Sequence, residues 1–312
     1  MLTDKQRYTT DYHKRLTRVL EYIDSHLCEP LLLENLSKVA CSSPFHFHRQ
    51  FTAYAGIPPG RYIQLLRLRY ASYRLAFNPY QKITDIALDT GFTHAESFSR
   101  AFKQVFGMTP GEFRHRPGWL RWYQCMPRPP MMRRENMLQV TIVSVADIQT
   151  AMLTHCGTPE AINETATRFV AWRKASGLSP VSRSRTFGIA PDDPACCDPQ
   201  RFRFKICGEV TAPIPEDNSY GVLNSTIPGG RCAVVRHRGS HDQLTGIAQS
   251  LYRDWLPGSG ETLRDFPLYF HYHNFVHQVS EHQLITDIYL PLSAEQPPGP
   301  ALRLSQPEHP TG

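Results

Sequence analysis

A short pattern of aromatic and basic residues occurs twice in this chain, and the repeat limits what its first third can fold into. Phe47-x-Arg49-x-Phe51 recurs 51 residues later as Phe98-x-Arg100-x-Phe102. The same offset relates four more positions: Gly56, Pro59, Gly60 and Tyr62 match Gly107, Pro110, Gly111 and Phe113. Upstream the offset changes to 47 residues, which indicates a loop of different length in the two copies. Two copies of one supersecondary unit are therefore predicted.

Each copy is predicted to consist of a helix, a turn and a second helix. The first copy places its helices over 33–40 and 44–55, and the second over 83–89 and 94–106, with Gly91 at the end of the shorter helix. A longer helix over 60–77 joins the two copies. The sequence thus predicts an all-α double helix-turn-helix domain over residues 10–116.

The second helix of each copy has an apolar face and an outward face at about 100° per residue. The outward side chains, predicted to bind DNA, are Phe45, His48, Arg49 and Thr52 in the first copy and Glu96, Ser99, Arg100 and Lys103 in the second. Both copies present an arginine at the same position, and arginine can pair bidentately with guanine. The connecting helix, about 27 Å long, is comparable with the roughly 34 Å between successive major grooves.

Charge is segregated along the chain in a way that favours a double-stranded DNA partner for the first half. Residues 1–118 hold 16 Lys and Arg against 10 Asp and Glu, whereas residues 137–312 hold 14 against 17. A helical interaction domain whose arginines meet only solvent is the alternative. The repeat, the shared outward arginine and the charge asymmetry together favour DNA binding.

The second copy resembles the signature of AraC-family transcription regulators. The resemblance rests on Ile86-Ala87, Gly91-Phe92, the run from Ser97 to Lys103, the run from Phe106 to Pro110, and Phe113-Arg114. It implies an all-helical domain that activates or represses transcription and contacts RNA polymerase. By position, Phe45, His48 and Arg49, and then Glu96, Ser99 and Arg100, match the residues with which the family reads bases.

A second repeat, with an offset of 82 residues, organises the remainder of the chain. His155-x-Gly157 recurs as His237-x-Gly239, each followed by a predicted helix, and the runs at 187–189 and 202–206 recur at 269–271 and 284–288. The alternating runs are typical of strands. We therefore predict an α+β domain over 138–292, built from a duplicated strand-helix-strand-strand unit with a cleft between the halves.

This second domain resembles the GyrI-like ligand-binding family. The resemblance rests on Ile227-Pro228-Gly229-Gly230, the turn at Gly239, Trp255-Leu256-Pro257, Tyr272-x-Asn274 and the run from Thr286 to Leu292. The domain order is similar to that of Rob-type regulators, which implies a small-molecule effector in the central cleft. Aromatic candidates for binding it are Trp172, Trp255, Tyr269, Phe270, Tyr272 and Tyr289.

Position 270 departs from the GyrI-like pattern. The family often has a glutamate there, where it can meet a cationic ligand or act as a general base, whereas this chain has Phe270. The substitution disfavours cationic ligands and points to a lipophilic or aromatic effector. It also disfavours one alternative, a GyrI-like hydrolase tethered to a DNA-binding domain. A protein that sequesters small molecules is the other alternative.

Other features of the sequence predict a cytoplasmic protein without catalytic residues, metal or cofactor. His271, His273, His277 and His282 form a cluster without a recognisable zinc spacing. No nucleophile elbow, phosphate loop or HExxH helix occurs. The eight cysteines have irregular spacings, and no run of apolar residues is long enough to cross a membrane. We expect residues 117–137 to be a linker and residues 293–312 to be a disordered tail.

Overall fold

The computed structural model describes residues 4–127, 138–194 and 197–294, with the side chains of the first helix described from His13 onward. About half of the predicted linker (128–137) and most of the predicted tail (295–312) therefore lie outside the described residues. The first described range folds into helices. Their bounds are α1 Asp4–Ser25, α2 Leu33–Val39, α3 Pro44–Ala55, α4 Pro59–Phe77, α5 Ile83–Asp89, α6 Ala95–Phe106, α7 Pro110–His115 and α8 Trp119–Cys125.

The two copies of the first repeat begin and end their helices by the same local chemistry. α3 and α6 both stop at a glycine in the left-handed region, Gly56 at φ 76° and Gly107 at φ 74°, a conformation that costs glycine nothing. At the next helix start, Thr109 and Glu112 form a reciprocal capping box. The repeat thus encodes helix boundaries as well as the apolar stripe, and the predicted double helix-turn-helix is confirmed.

Helix α4 is the shared centre of the helical domain. Twelve of its residues are buried, because two separate cores pack against it. Phe47 and Phe51 of α3 belong to the first core, and Phe98 and Phe102 of α6 belong to the second. A helix buried on several faces is held in place by packing on both sides. Helices α3 and α6, the predicted recognition helices, are therefore both fixed relative to α4, which forms a rod between them.

Helix α8 lies in the stretch that the sequence predicted to be a linker. Its two indoles are buried, and both belong to the second helix-turn-helix core. The indole nitrogen of Trp122 donates to the hydroxyl of Ser72 on α4 at 2.6 Å. The prolines and arginines on either side of these tryptophans concealed the helix from the sequence reading. The helical domain consequently extends through the start of the predicted linker.

The second domain is an eight-stranded antiparallel sheet with helices on one face. Its elements are β1 Thr141–Val145, β2 Ile148–Cys156, α9 Ile162–Ser176, β3 Thr186–Ile189, β4 Arg203–Glu209, β5 Leu223–Ile227, β6 Gly230–Arg238, α10 Leu244–Ser250, α11 Leu256–Ser259, β7 Tyr269–Tyr272 and β8 Ile285–Pro291. A π-helical turn, Leu251–Trp255, joins α10 to α11. The predicted duplicated unit is confirmed.

The strand order shows a pseudo-two-fold relation between the two halves. The sheet runs β1-β6-β8-β7-β3-β4-β2-β5, so β7 and β3 meet at its centre. The sequence did not predict β1 and β5, which also obey the 82-residue offset. Each pairs with a strand of the other half, β1 with β6 and β5 with β2. This exchange of edge strands ties the halves together.

The repeated His-x-Gly motif closes the turn that precedes each helix of the second domain. Gly157 and Gly239 have φ values of 133° and 124°, which side chains rarely adopt. The Nε2 atoms of His155 and His237 lie 3.0 and 3.1 Å from the carbonyl oxygens of Thr158 and Ser240. Both histidines are buried. The motif is therefore a structural element of the turn.

Candidate DNA interface and ligand cleft

Helix α6 presents a polar face to solvent and an aromatic face to the core. Glu96, Arg100 and Lys103 are exposed and Ser99 is half-buried, while Phe98 is fully buried. Within the described part of the chain, neither Arg100 nor Lys103 has a carboxylate in salt-bridge contact. The side chains that line an open groove between α5 and α6 are Ile83, Thr84, Ala95, Glu96, Ser99 and Arg100. Arg100 is thus available to an external partner.

Helix α3 carries the equivalent face in the first copy. Phe45 is 63% exposed, and the guanidinium of Arg49 lies over its ring at 4.7 Å from the centroid. This stacking orients the arginine outward without occupying its five donors. His48 is exposed, and the Thr52 hydroxyl donates to the His48 carbonyl at 2.8 Å. The Thr52 hydroxyl therefore has an internal partner, whereas His48 and Arg49 remain open to solvent.

Three of the six predicted effector residues meet in one place on the helical face of the sheet. Phe270, Tyr272 and Trp255 belong to one apolar cluster beneath α10. Phe204 of the first half reaches the same place, with its ring centroid 6.4 Å from that of Phe270. Gly188 forms the floor, because a Cβ there would lie 2.5 Å from Phe204 and 2.8 Å from the Tyr272 hydroxyl. Residues of both halves therefore meet over the central strands.

The other three predicted effector residues lie elsewhere. Trp172 is 2% exposed and stacks on Phe169 of its own helix. Tyr269 and Tyr289 stack on one another, with centroids 4.8 Å apart, on the sheet face opposite the helices. Neighbouring residues of a strand point to opposite faces, so Tyr269 and Phe270 could not both line one cleft. Phe204, Gly188 and His241 adjoin Tyr272 and were not among the residues predicted from the sequence.

Two polar atoms in the cleft region are buried without a hydrogen-bond partner among the described residues. They are Oγ1 of Thr286 and Nε2 of His241. Thr286 pairs with Tyr272 across the β7–β8 ladder, and the His241 ring centroid is 5.1 Å from that of Tyr272. Burial lowers the pKa of His241 to about 4, so its imidazole is neutral and can accept or donate a hydrogen bond. Buried polar groups ordinarily have hydrogen-bond partners. A ligand with a polar group would supply partners for these two atoms.

Comparison with known proteins assigns both domains. Residues 138–293 match the GyrI-like small molecule binding domain, which spans half of the chain, and residues 36–116 match a helix-turn-helix domain family. The chain belongs to the GyrI-like family. Its amino-terminal half is a helix-turn-helix domain of the AraC type, so the resemblance seen in the sequence is confirmed for both domains.

Two curated proteins that the chain resembles carry regulator names. The GyrI-like half is 49% identical over 156 residues to the probable transcriptional regulator YgiV of Escherichia coli, covering 50% of this chain and 97% of YgiV. The helix-turn-helix region is 33% identical over 105 residues to the regulatory protein SoxS of Salmonella typhimurium, covering 33% of this chain and 97% of SoxS. The chain is thus a DNA-binding transcription regulator with a GyrI-like domain.

The GyrI-like domain also brings two histidines and an aspartate together on the face without helices. His271, His273 and Asp287 have ligand atoms within 4.8 Å of one another. Both oxygens of Asp287 accept hydrogen bonds from Arg236 at 2.7 Å, and one lies 2.7 Å from His273 Nε2. A guanidinium on the carboxylate repels a second cation. The trio is therefore a salt-bridged polar cluster, and we assign no metal to it.

The GyrI-like domain packs directly against the helix-turn-helix domain. Asn78 at the end of α4 donates to the carbonyl of His277 at 3.0 Å, and Phe77 packs on the His277 ring. The indole of Trp119 donates to the hydroxyl of Thr167 on α9 at 3.3 Å. The two halves of the regulator are consequently joined by side-chain contacts as well as by the chain. No helix in the described part of the chain is long and apolar enough to span a membrane.

Proposed function

We propose that the GyrI-like domain binds a small, lipophilic, aromatic effector between its two halves and that this binding changes how the regulator engages DNA. The pair of unpartnered polar atoms, Thr286 Oγ1 and His241 Nε2, carries the proposal. They adjoin a wall of aromatic rings, and apolar pockets with a few polar groups are typical of small-molecule sites. An aromatic ligand bearing a hydroxyl or carbonyl group would satisfy them.

The cleft chemistry favours binding over catalysis. Phe270 is 7% exposed and packs among apolar side chains, at the position where relatives of hydrolase type would need an acid. Burial also raises the pKa of the Tyr272 phenol above its ordinary value, so Tyr272 stays protonated. A neutral imidazole, a threonine and a protonated phenol suit hydrogen bonding to an uncharged ligand. The proposal is therefore a sensor without enzymatic activity.

The DNA-facing roles follow from exposure and chemistry. We assign Arg49 and Arg100 to base edges, with Phe45, His48, Glu96 and Ser99 beside them, and Lys103 to a phosphate. The protein would act in the bacterial cytoplasm, where its DNA lies, and would contact RNA polymerase as AraC-type regulators do. These assignments rest on the shared outward arginine of the two repeats and on its lack of a carboxylate partner among the described residues.

Binding of a lipophilic aromatic probe, Nile red, to the full chain tests the sensor role. We expect saturable binding that quenches tryptophan emission. Tyr272→Ala and Trp255→Ala should each weaken it by about 5- to 10-fold, because an aromatic contact of about 1 kcal/mol is lost. Tyr289→Ala is the matched control, since Tyr289 lies on the opposite face and should leave the affinity unchanged. Equal affinities for all four proteins would refute the placement of the site.

Two further measurements separate the alternatives. A hydrolase would turn over candidate compounds, and a sequestering protein would occupy its promoter equally with and without bound ligand. A ligand-dependent change of promoter occupancy without turnover of the ligand supports the sensor role.

A further inference from the structure

A cluster of polar and charged side chains around the buried Arg69, which we call the Arg69 cluster, joins α4 to the GyrI-like domain. It consists of Arg69, Asp24, Ser240, Asp242 and Glu281. The Arg69 side chain is 6% exposed; its Nη1 lies 2.6 Å from Asp242 and its Nε 2.7 Å from Glu281. Its Nη2 donates to the Ser240 hydroxyl at 3.3 Å. The Arg69 guanidinium on α4 is thus held by two turns of the GyrI-like domain, one with Asp242 and one with Glu281.

The partners of Arg69 stabilise its buried positive charge. Burial alone would lower the pKa of Arg69, but Glu281 and Asp242 hold it well above its ordinary value. Removing the charge of Asp242 takes away one of the two carboxylates that compensate this buried guanidinium, which is unfavourable. The position of α4 is therefore sensitive to the position of these two carboxylates.

The turn that carries Asp242 also borders the cleft. His241 and Asp242 are neighbours in the stretch that leads into α10. The His241 ring packs against Tyr272. A movement of the Tyr272 ring is transmitted to His241 by direct contact, and from there to Asp242 through one peptide unit. Two consecutive residues of one turn, His241 and Asp242, thus connect Tyr272 in the cleft wall to Arg69 on α4.

The 82-residue duplication singles out these positions. In the first half, Thr158, Pro159 and Glu160 stand where the second half has Ser240, His241 and Asp242, and Pro199 stands where it has Glu281. Glu160 makes no salt bridge within the described residues. Of these two equivalent turns, only the one in the second half makes a charged contact with α4. The repeated unit can therefore fold without such a contact.

We propose that Arg69 is a positioning residue through which the cleft sets the orientation of α4, and with it of both recognition helices, relative to the GyrI-like domain. The proposal rests on the proposed effector function. Phe204 and Tyr272 fill the space above Gly188, so a ligand must displace them. Displacement of Tyr272 moves His241 and draws Asp242 away from Arg69. Effector binding therefore loosens the contact between Arg69 and the GyrI-like domain.

A double-mutant cycle on the full chain tests this route without an effector. Gly188→Ala introduces a Cβ that overlaps Phe204 and Tyr272 and so mimics ligand entry. Asp242→Asn removes the charge that holds Arg69. The readout is the Kd for a duplex selected by the full chain from a random pool. Gly188→Ala should change this Kd by about 5-fold or more, the lower range of allosteric coupling, and should have no effect in the Asp242→Asn background.

Controls make each outcome decisive. Glu160→Gln is the matched substitution in the first half and should preserve the full effect of Gly188→Ala, as should Asp242→Glu, which keeps the charge. If Gly188→Ala does not unfold cooperatively, Tyr272→Ala replaces it as the perturbation of the cleft. Equal effects of the cleft substitution with and without Asp242→Asn would overturn the route through Arg69 while leaving sensing intact. A Kd unaffected by either cleft substitution in any background would overturn the sensing function itself, and the route with it.

Discussion

Substitution of Arg100 tests the DNA interface most directly, because its side chain has no internal role to lose. Arg100 is exposed and has no salt bridge among the described residues, so Arg100→Ala should leave the free energy of unfolding within about 0.5 kcal/mol of wild type. Any change in DNA affinity then reports the interface. Loss of a bidentate base contact should cost about 1–3 kcal/mol on the selected duplex and relax the preference at one or two base pairs.

Lys103 provides the contrast on the same helix. It lies nearer the carboxyl end of α6 than Arg100, further from base edges by our assignment. Lys103→Ala should weaken selected and scrambled duplexes alike, and should lower the slope of log K against log salt by about one unit, because one fewer counterion is released. Arg49→Ala should resemble Arg100→Ala but act about one helical turn away along the DNA.

The assay is a set of binding isotherms for each variant on selected and scrambled duplexes at several salt concentrations. Phe45→Ala is a useful companion, since Arg49 stacks on Phe45 and should lose part of its orientation. If Arg100→Ala weakened both duplexes equally, Arg100 would be a phosphate contact and the base-reading role would be refuted. If Arg49 and Arg100 perturbed the same base pairs, the two helices could not occupy successive grooves.

Two further predictions concern stability. Burial, and next Glu281, raise the pKa of Asp24 from 3.8 to about 7; the other charges facing it are Glu21, Arg69 and Asp242, with His282 against its carbonyl. The folded state holds this proton at pH values where the unfolded state has lost it, so the protein loses stability as the pH rises towards 7. The stability of wild type relative to Asp24→Asn should therefore fall by up to about 2 kcal/mol between pH 5.5 and 7.5. A difference independent of pH in urea titrations would contradict this. Thr109→Ala removes the capping box at α7 and should cost about 1 kcal/mol of unfolding free energy, with Thr84→Ala, an exposed threonine, as the control near zero.

The helical domain was largely readable from sequence because its repeat fixes both periodicity and boundaries. Gly56 and Gly107 mark helix ends by their backbone conformation, and the phenylalanine pairs mark the buried stripe. Helix α8 was missed because Trp119 and Trp122 bury against α4, a contact between segments about 50 residues apart that local composition does not encode. The strands β1 and β5 were missed for a similar reason, since each is an edge strand stabilised by the other half.

The cleft was only partly readable because a strand pattern does not tell which face a helix covers. Tyr269 and Phe270 are equally aromatic, yet α10 covers the face of Phe270 and leaves Tyr269 on the opposite face. Phe204 was overlooked because its counterpart in the repeat is Thr286, so the match carried no aromatic signal. The Arg69 cluster could not be predicted, since its members are spread over four segments and meet only when the two domains pack.

The two cores on either side of α4 explain why an effector signal would act on the rod rather than on a recognition helix. α3 packs through one core and α6 through the other, so neither can shift alone without opening a cavity in its core, which would cost several kcal/mol. A rotation of α4 against the GyrI-like domain leaves the packing of α3 and α6 on α4 intact. Such a rotation moves α3 and α6 together relative to the GyrI-like domain. Arg69, on the segment between the two recognition helices, is placed where such a rotation is resisted or released.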